Sequence, residues 1–398
     1  MAESLNRDPA GLELRADPSA LAPERLLVFE LRGTINTFSA AVQRVPGLEL
    51  IDEEELAADE FDKAPVAYLM VPDMRALREL ESLWRRWQAG ELGRGETPWR
   101  DVFALLRNLR PWGPADRVQL TDSGLLADEI EGRADDEIVR LEIELVFRKD
   151  DKPASDQEEE IQVAIMARDG RIISRSRIAE IAYHALLVDL PVRIVQEVID
   201  RSPEGIAGLE PVMHIRPQSI ATSIELSDSS PGGDIGNVGP LSDPILALLD
   251  GVPVANHTLL SRHVILDDQF GLEVSVPVAD RHHGTAMASL IIHGDRNRPE
   301  MPLPRRIQVV PVLGVMNNFP SNRLIVDVIY TAILAMRSGD EPTAPNVLIV
   351  NLSLGNPRRP FHGQLSPWAR VLDRLAYRFG ILFLGSGPIK VLADQMIG

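Results

Sequence analysis

The chain has 398 residues, a net charge of −18 and no cysteine. The missing cysteine excludes disulfides, thiol nucleophiles and thiolate metal sites, and the acidic charge argues against nucleic-acid binding. This length predicts two or three domains, and 44% apolar residues are typical of a globular protein. The N-terminus lacks the apolar core of a signal peptide, and no apolar run approaches the roughly 18 residues that cross a bilayer. We therefore expect a cytoplasmic protein without membrane contact.

Residues 1–24 are a leader rich in proline and alanine, and residues 25–118 predict a first small α+β unit. Its strands are expected at 26–31, 48–51 and 66–71, and its first helix at 34–45. A second helix begins after Asp73, where Ala76, Leu80 and Leu83 recur at helical spacing. A third helix is expected from Trp99 to Leu109.

Residues 119–218 predict a second α+β unit. Residues 139–147 alternate between apolar and charged side chains and indicate a strand with one polar face. We expect an acidic loop at 150–160, an antiparallel partner strand at 161–173 and a helix at 174–190 in which His184 is packed. A further helix follows Pro191, and a strand at 211–215 closes the unit.

Residues 219–242 are rich in Ser, Gly, Asp and Pro, which predicts a linker. From residue 243 to 398 short continuous apolar runs alternate with helical segments, a pattern typical of a doubly wound, mainly parallel sheet. The runs are PILALLD, RIQVVPVLGV, NVLIVNLSLG and GILFLG. Functional groups in such folds gather at the carboxyl ends of the strands.

Asp250 follows one of these runs, and His283 comes 33 residues later at the start of a predicted helix. A buried carboxylate must be paired, and a histidine is a suitable partner. Such a carboxylate can orient an imidazole that takes a proton from a hydroxyl nucleophile. Gly284 lacks a Cβ and would allow the helix to approach the sheet closely.

Three segments resemble the motifs of the subtilisin-like serine peptidases, or subtilases. LLDGVPVANHTLL is similar to the aspartate motif, HHGTAMASLI to the histidine motif and VLIVNLSLG to the substrate-binding strand. The resemblance covers residues 244 to about 387 and implies a sheet of subtilisin type. It also implies that Asp250 orients the imidazole, that His283 is the general base and that Ser353, Leu354 and Gly355 bind a peptide or protein substrate. It implies neither a cofactor nor a metal ion.

The chain departs from the subtilase pattern in two places. GILFLGSGPIK contains Gly385, Ser386, Gly387 and Pro388 where the family has its oxyanion asparagine. No serine after His283 follows a Gly-Thr pair, so the family's nucleophile motif is missing. We therefore expect a C-terminally truncated subtilase, shortened by truncation or by a frameshift near residue 384. The alternative is a non-catalytic subtilase remnant that binds peptides or a partner.

The resemblance also bears on the two N-terminal units. Subtilase prodomains are small ferredoxin-like modules that assist folding and block the active site, and the segment 219–242 would then be a cleavable linker. The other interpretation is that the units are sensor or docking modules, with an AAA-type ATPase as one conceivable partner. The expected fold class is thus an incomplete, doubly wound α/β sheet of subtilisin type, preceded by two small α+β units.

Overall fold

A computed structural model describes residues 25–31, 38–55, 65–71, 74–218, 241–295, 301–352 and 366–385. The chain divides into two compact units. The first comprises Met1–Gln119, Asp200–Val212 and Phe361–Gln364, and the second comprises Leu120–Ile199, Met213–Pro360 and Leu365–Gly398. The leader at 1–24, Asp73 and nearly all of the linker at 219–242 lie outside the described residues, and the predicted domain boundaries stay a prediction.

The first unit contains an antiparallel sheet with the strand order β2-β3-β1-β4. Its core contains Phe29, Trp99 and Phe103, which are almost completely shielded from solvent. The helix expected to extend to Leu109 ends at Leu105, because Leu106–Pro111 pairs with β1. The elements in chain order are β1 Arg25–Leu31, α1 Phe38–Val42, β2 Glu49–Glu55, β3 Pro65–Val71, α2 Met74–Ala89, α3 Thr97–Leu105, β4 Leu106–Pro111 and α4 Pro114–Arg117.

The second unit begins with another antiparallel sheet, in which the strand order is β6-β7-β5-β8. Both antiparallel sheets thus have the chain order β-α-β-β-α-β, with helices between the first and second and between the third and fourth strands. The elements are α5 Leu120–Ile130, β5 Ile138–Leu145, α6 Asp151–Met166, β6 Arg171–Ile178, β7 Tyr183–Pro191, α7 Val192–Ile199 and β8 Val212–Pro217.

Three predictions for this sheet are wrong. The acidic segment at 150–160 is no loop but the start of α6, which buries Ala154, Gln157, Ile161 and Ile165 at helical spacing. The partner strand expected at 161–173 is the end of that helix followed by the start of β6. The helix expected at 174–190 is the strand pair β6 and β7, because Tyr183–Pro191 is buried on both faces and pairs with β5 and β6.

The rest of the second unit is a five-stranded parallel sheet with the order β10-β11-β9-β12-β13. Helix α9 covers one face, where Ala288 and Ile292 pack with Leu248 and Val309. Helices α10 and α11 cover the other face. An α/β architecture with helices on both faces of a parallel sheet is therefore confirmed. The elements are β9 Leu246–Gly251, β10 Val264–Leu266, α8 Leu272–Ser275, α9 His282–His293, β11 Ile307–Leu313, α10 Ile325–Arg337, β12 Ile349–Leu352, α11 Pro367–Phe379 and β13 Leu382–Gly385.

Helices α10 and α11 also pack against the antiparallel sheet of the same unit. Tyr183 and Leu187 of β7 share one apolar core with Ile329 of α10 and Leu375 of α11. The face of β5 predicted to be polar is not exposed to solvent, since Glu144 is 2% exposed. The alternating sequence pattern could not show that this face of β5 would be buried against α11, a helix that packs on the parallel sheet.

Candidate active site

Asp250 lies near the carboxyl end of β9, the central strand of the parallel sheet. Strands β11 and β12 flank β9 on its two sides, and Asp250 itself is 0% exposed. The apolar residues of β9 are buried on both faces, so the strand delivers the carboxylate to the sheet edge from inside the core. The sequence prediction of a buried acid at a strand end is confirmed.

His283 is the second residue of α9 and faces this carboxylate. Its Nδ1 lies 2.6 Å from Oδ1 of Asp250, and the histidine is 4% exposed. Because a carboxylate can only accept here, Nδ1–H donates and the imidazole is fixed in one tautomer. The backbone N–H of Gly251 donates to the same Oδ1 at 2.6 Å. The predicted contact between Asp250 and His283 is thus present.

Glycines make this contact possible by letting α9 approach β9 closely. A Cβ on Gly284 would lie 2.2 Å from the carbonyl oxygen of Gly251, a distance that side-chain carbons do not reach. A Cβ on Gly251 would lie 2.9 Å from Oδ1 of Asn317. The expectation that Gly284 allows close packing is confirmed, whereas a Cβ at 251 would meet only the end of the Asn317 side chain, which can shift.

Hydrogen bonds on both sides hold the first turn of α9. Thr285 donates from Oγ1 to the carbonyl of Arg281 at 2.6 Å and accepts from the backbone N–H of Val254 at 2.9 Å. The guanidinium of Arg281 donates from Nε to the carbonyl of Val276 at 3.1 Å. These hydrogen bonds therefore connect the loop after β9 and the residues just before α9 to the first turn of α9, which contains His283.

The other ring nitrogen of His283 is free. Nε2 has no hydrogen-bond partner among the described residues, although Nδ1 is fully engaged. A neutral imidazole that donates from Nδ1 leaves Nε2 able to accept a proton. A general base with an orienting carboxylate would require this geometry.

Two short turns that the sequence pattern did not reveal lie close to each other beside this region. Residues Val278–Asp280 precede α9, residues Val315–Asn317 follow β11, and the two turns are in contact. Val278 and Met316 are 67% and 73% exposed. Met316 and Asn317 have φ angles of 54° and 53°, which side-chain-bearing residues rarely adopt. Strained backbone of this kind is frequent at functional sites.

No described serine is hydrogen-bonded to His283. Ser366 caps α11, where its Oγ accepts from Ala369 N at 3.2 Å. Ser289 lies on α9 and lines a surface pocket with His257 and His282. The remaining described serines after His283 are Ser321 and Ser338, which no hydrogen bond joins to it.

The predicted substrate-binding residues Ser353, Leu354 and Gly355 lie outside the described residues, as do Ser386, Gly387 and Pro388. Strand β12 nevertheless shows where this segment starts. Leu352, the last described residue before this segment, pairs with Leu249, which immediately precedes Asp250. Gly385 ends β13 opposite Leu352 and is exposed.

His282 and His293 are the first and last residues of α9; His282 is exposed, whereas His293 is only 6% exposed. His184 is packed as expected, but on a strand and not on a helix. In the described parts of the chain, no three His, Asp or Glu side chains are grouped as metal ligands, and no helix is long and apolar enough to cross a membrane.

Comparisons with known proteins add little to this geometry. No protein-family model matches the chain. No curated protein matches it either. Among solved structures, the small subunit of acetolactate synthase from Thermotoga maritima is 13% identical, with 48% of this chain and 91% of that chain covered at a TM-score of 0.15. A similarity this low supports no conclusion about fold or function.

Proposed function

We propose that the chain carries the acid–base half of a serine endopeptidase site of subtilisin type. The observation that supports this proposal is the buried hydrogen bond between Asp250 and His283 at the carboxyl edge of a parallel sheet. The motif resemblance adds the reaction class, which is hydrolysis of a peptide bond in an extended peptide or protein. Cytoplasmic residence is part of the same proposal.

In this reaction each group has one task. Nε2 of His283 takes the proton from a serine hydroxyl as that oxygen attacks the scissile carbonyl, and later gives it to the leaving amine. The carboxylate of Asp250 keeps the imidazole in the required tautomer and stabilises the imidazolium that forms. Ser353, Leu354 and Gly355 would pair with the substrate main chain as an added strand.

In the proposal, the serine itself is missing from the 398 residues. The DNA that follows codon 398, read in all three frames, should encode a Gly-Thr-Ser motif at a helix start. A chain extended by that segment should react with a fluorophosphonate probe. His283→Ala should abolish the labelling, whereas His282→Ala, which changes the exposed neighbouring histidine, should leave it intact.

Two outcomes would contradict this proposal. The first is an extended chain whose labelling survives His283→Ala, since His283 would then not activate the nucleophile. The second is strong labelling of the 398-residue chain itself that His283→Ala abolishes. That result would show that a functional serine lies within these residues. It would refute the part of the proposal that says the nucleophile is missing from them.

A non-catalytic peptide-binding module is the second candidate function. It is favoured by the lack of any described hydroxyl at hydrogen-bond distance from Nε2 of His283. If no following reading frame encodes the serine motif, and the chain binds peptides without cleaving them, this candidate replaces the first.

We further propose that residues 119–218 form a ferredoxin-like module of prodomain type. Their strand order and connectivity support the fold, and their packing on α10 and α11 supports the role. Arg370 of α11 pairs with Glu144 of β5, and Glu180 accepts from Arg374 at 2.8 Å and from Tyr330 at 3.0 Å. Ser176 donates to Asp327 of α10 at 2.8 Å.

Glu144 is the buried charge at the centre of this contact. Burial alone would raise its pKa, but Arg216 and Arg370 outweigh burial and lower the pKa to about 2. The carboxylate is therefore ionised at neutral pH and needs both guanidinium groups. A docking module remains the alternative role, and it would use the same contacts.

A further inference from the structure

Two histidines at the other end of α9 form a buried pair that the proposed reaction does not use. His263 precedes β10 and is 4% exposed, and His293 ends α9 and is 6% exposed. Their rings meet edge to face, with centroids 5.8 Å apart and an interplanar angle of 69°. The two rings thus join the end of the helix to the start of an outer strand.

Within the described residues, three of the four ring nitrogens of the pair have no well-formed hydrogen bond. Nε2–H of His293 donates to the carbonyl of Leu259 at 3.0 Å, while its Nδ1 is buried without a partner. Neither ring nitrogen of His263 has a well-formed hydrogen bond within the described residues. Protonation of His263 would bury a further N–H donor, and an unsatisfied buried donor costs roughly 1–3 kcal/mol.

The surroundings of His263 oppose a positive charge. Burial is the largest cause of the lowered pKa of His263, and the neighbouring His293 also lowers this pKa. The backbone of Leu303 acts in the opposite direction and raises the pKa, whereas the charge of Arg262 lowers it. None of these contributions comes from a carboxylate.

Other charged or titratable groups on the surrounding elements are His257 on the preceding turn, Asp295 just beyond α9, and Arg305 and Arg306 on the segment before β11. Arg306 is bound to Asp243 at 2.8 Å. Asp295 also takes part in an interaction and is therefore not an unpaired charge.

The pair is also tied to the sheet through the backbone. The N–H of Ile307 donates to the carbonyl of His263 at 2.8 Å, which joins the turn to the start of β11. Leu260, Ile292 and Ile307 belong to one apolar cluster under α9. A shift of either ring would therefore disturb the packing between α9 and the sheet.

We propose that His263 and His293 form an acid-sensitive lock on the C-terminal end of α9, which opens when His263 is protonated. The same helix carries His283 near its other end, so opening the lock loosens the element that holds the general base. This inference needs only the observed packing and does not depend on the proposed peptidase activity.

The sign of the pH effect follows from linkage. A histidine whose pKa is lowered on folding contributes no pH dependence well above its unfolded pKa of about 6.5. As the pH falls below about 6.5, the open state binds a proton at His263 more readily than the closed state does, so opening becomes easier by up to about tenfold per pH unit. The effect ends at the lowered pKa of the closed state.

Hydrogen exchange of the complete 398-residue chain at pH 7.5 and 5.5 tests the lock, with rates corrected for intrinsic pH dependence. Amides of residues 287–294 should lose protection at pH 5.5 by up to about tenfold, while those of α10 should not change. In His263→Phe, which keeps an aromatic ring without a titrating group, the pH-dependent loss should disappear. His263→Met serves the same purpose if phenylalanine disturbs packing, and the exposed His282→Gln is the matched control.

The lock is refuted if a folded His263→Phe or His263→Met chain shows the same pH-dependent loss as the unaltered chain. It is also refuted if α9 and α10 lose protection equally, because acid would then act on the whole unit. An unchanged α9 at pH 5.5 in the unaltered chain refutes it as well.

Discussion

Replacing Gly284 with alanine tests whether the close approach of α9 to β9 holds the Asp250–His283 pair together. The added Cβ would lie 2.2 Å from the carbonyl oxygen and 2.7 Å from the carbonyl carbon of Gly251. Both are backbone atoms of a central strand, so the start of α9 must move away. Overpacking of this kind costs roughly 1–3 kcal/mol, and alanine in a helix returns up to about 1 kcal/mol. We expect the free energy of unfolding to fall by about 1–2 kcal/mol.

Urea unfolding measures this change, and Gly124→Ala provides the matched control. Gly124 lies in the interior of α5, and a Cβ added to it would meet no atom within 4 Å. The control should be unchanged or more stable by up to about 1 kcal/mol. The low-field Nδ1 proton of His283 should shift or broaden in Gly284→Ala alone. If Gly284→Ala is as stable as the control and the proton signal is unchanged, the close approach does not hold the pair.

Three further substitutions address charged groups. Asp250→Asn should remove the low-field Nδ1 proton signal of His283, since the acceptor loses its charge, whereas an unchanged spectrum would mean that the carboxylate does not orient the ring. Arg370→Met should lower the free energy of unfolding by about 1–3 kcal/mol at pH 7, because Glu144 keeps only Arg216. Glu144 has a pKa of about 2, below the ordinary value of 4.5, so its contribution is complete above pH 4.5 and is lost as the pH falls towards 2. The difference between the two chains should shrink over that interval in urea unfolding, and a difference that stays constant would contradict the assignment. Glu180→Gln, at a more exposed pair, should cost less than about 1 kcal/mol.

Four of the five strands of the parallel sheet were predictable because they are continuous apolar runs, whereas the short strand β10 was not predicted. β9 and β11 appear as such runs, and Asp250 interrupts the first where the strand ends. The helix at His283 was predictable from small residues placed one turn apart. These features depend only on residues within a short stretch of the chain, so they can be predicted from the local sequence.

The second antiparallel sheet was mispredicted where local patterns conflict with long-range pairing. Residues 174–190 show helical spacing, but β7 is a central strand between β5 and β6 and is buried on both faces. Conversely, the acid-rich start of α6 hides the helical spacing of Ala154, Ile161 and Ile165. That spacing could have been found, since it is visible in the sequence, whereas the burial of β7 could not.

The sequence by itself indicated Asp250 and His283 as candidates for acid–base chemistry and as partners of each other, since each stands at the boundary of a strand or helix that local pattern defines. Only the tertiary structure decided the distance between them and the other buried contacts. It brought Nδ1 within 2.6 Å of a carboxylate 33 positions away, buried Glu144 against Arg370 and joined His263 to His293. The physical reason is that burial and pairing depend on which surfaces meet in the folded protein. The periodicity of a segment can be read from its own sequence, but the element that packs against it cannot.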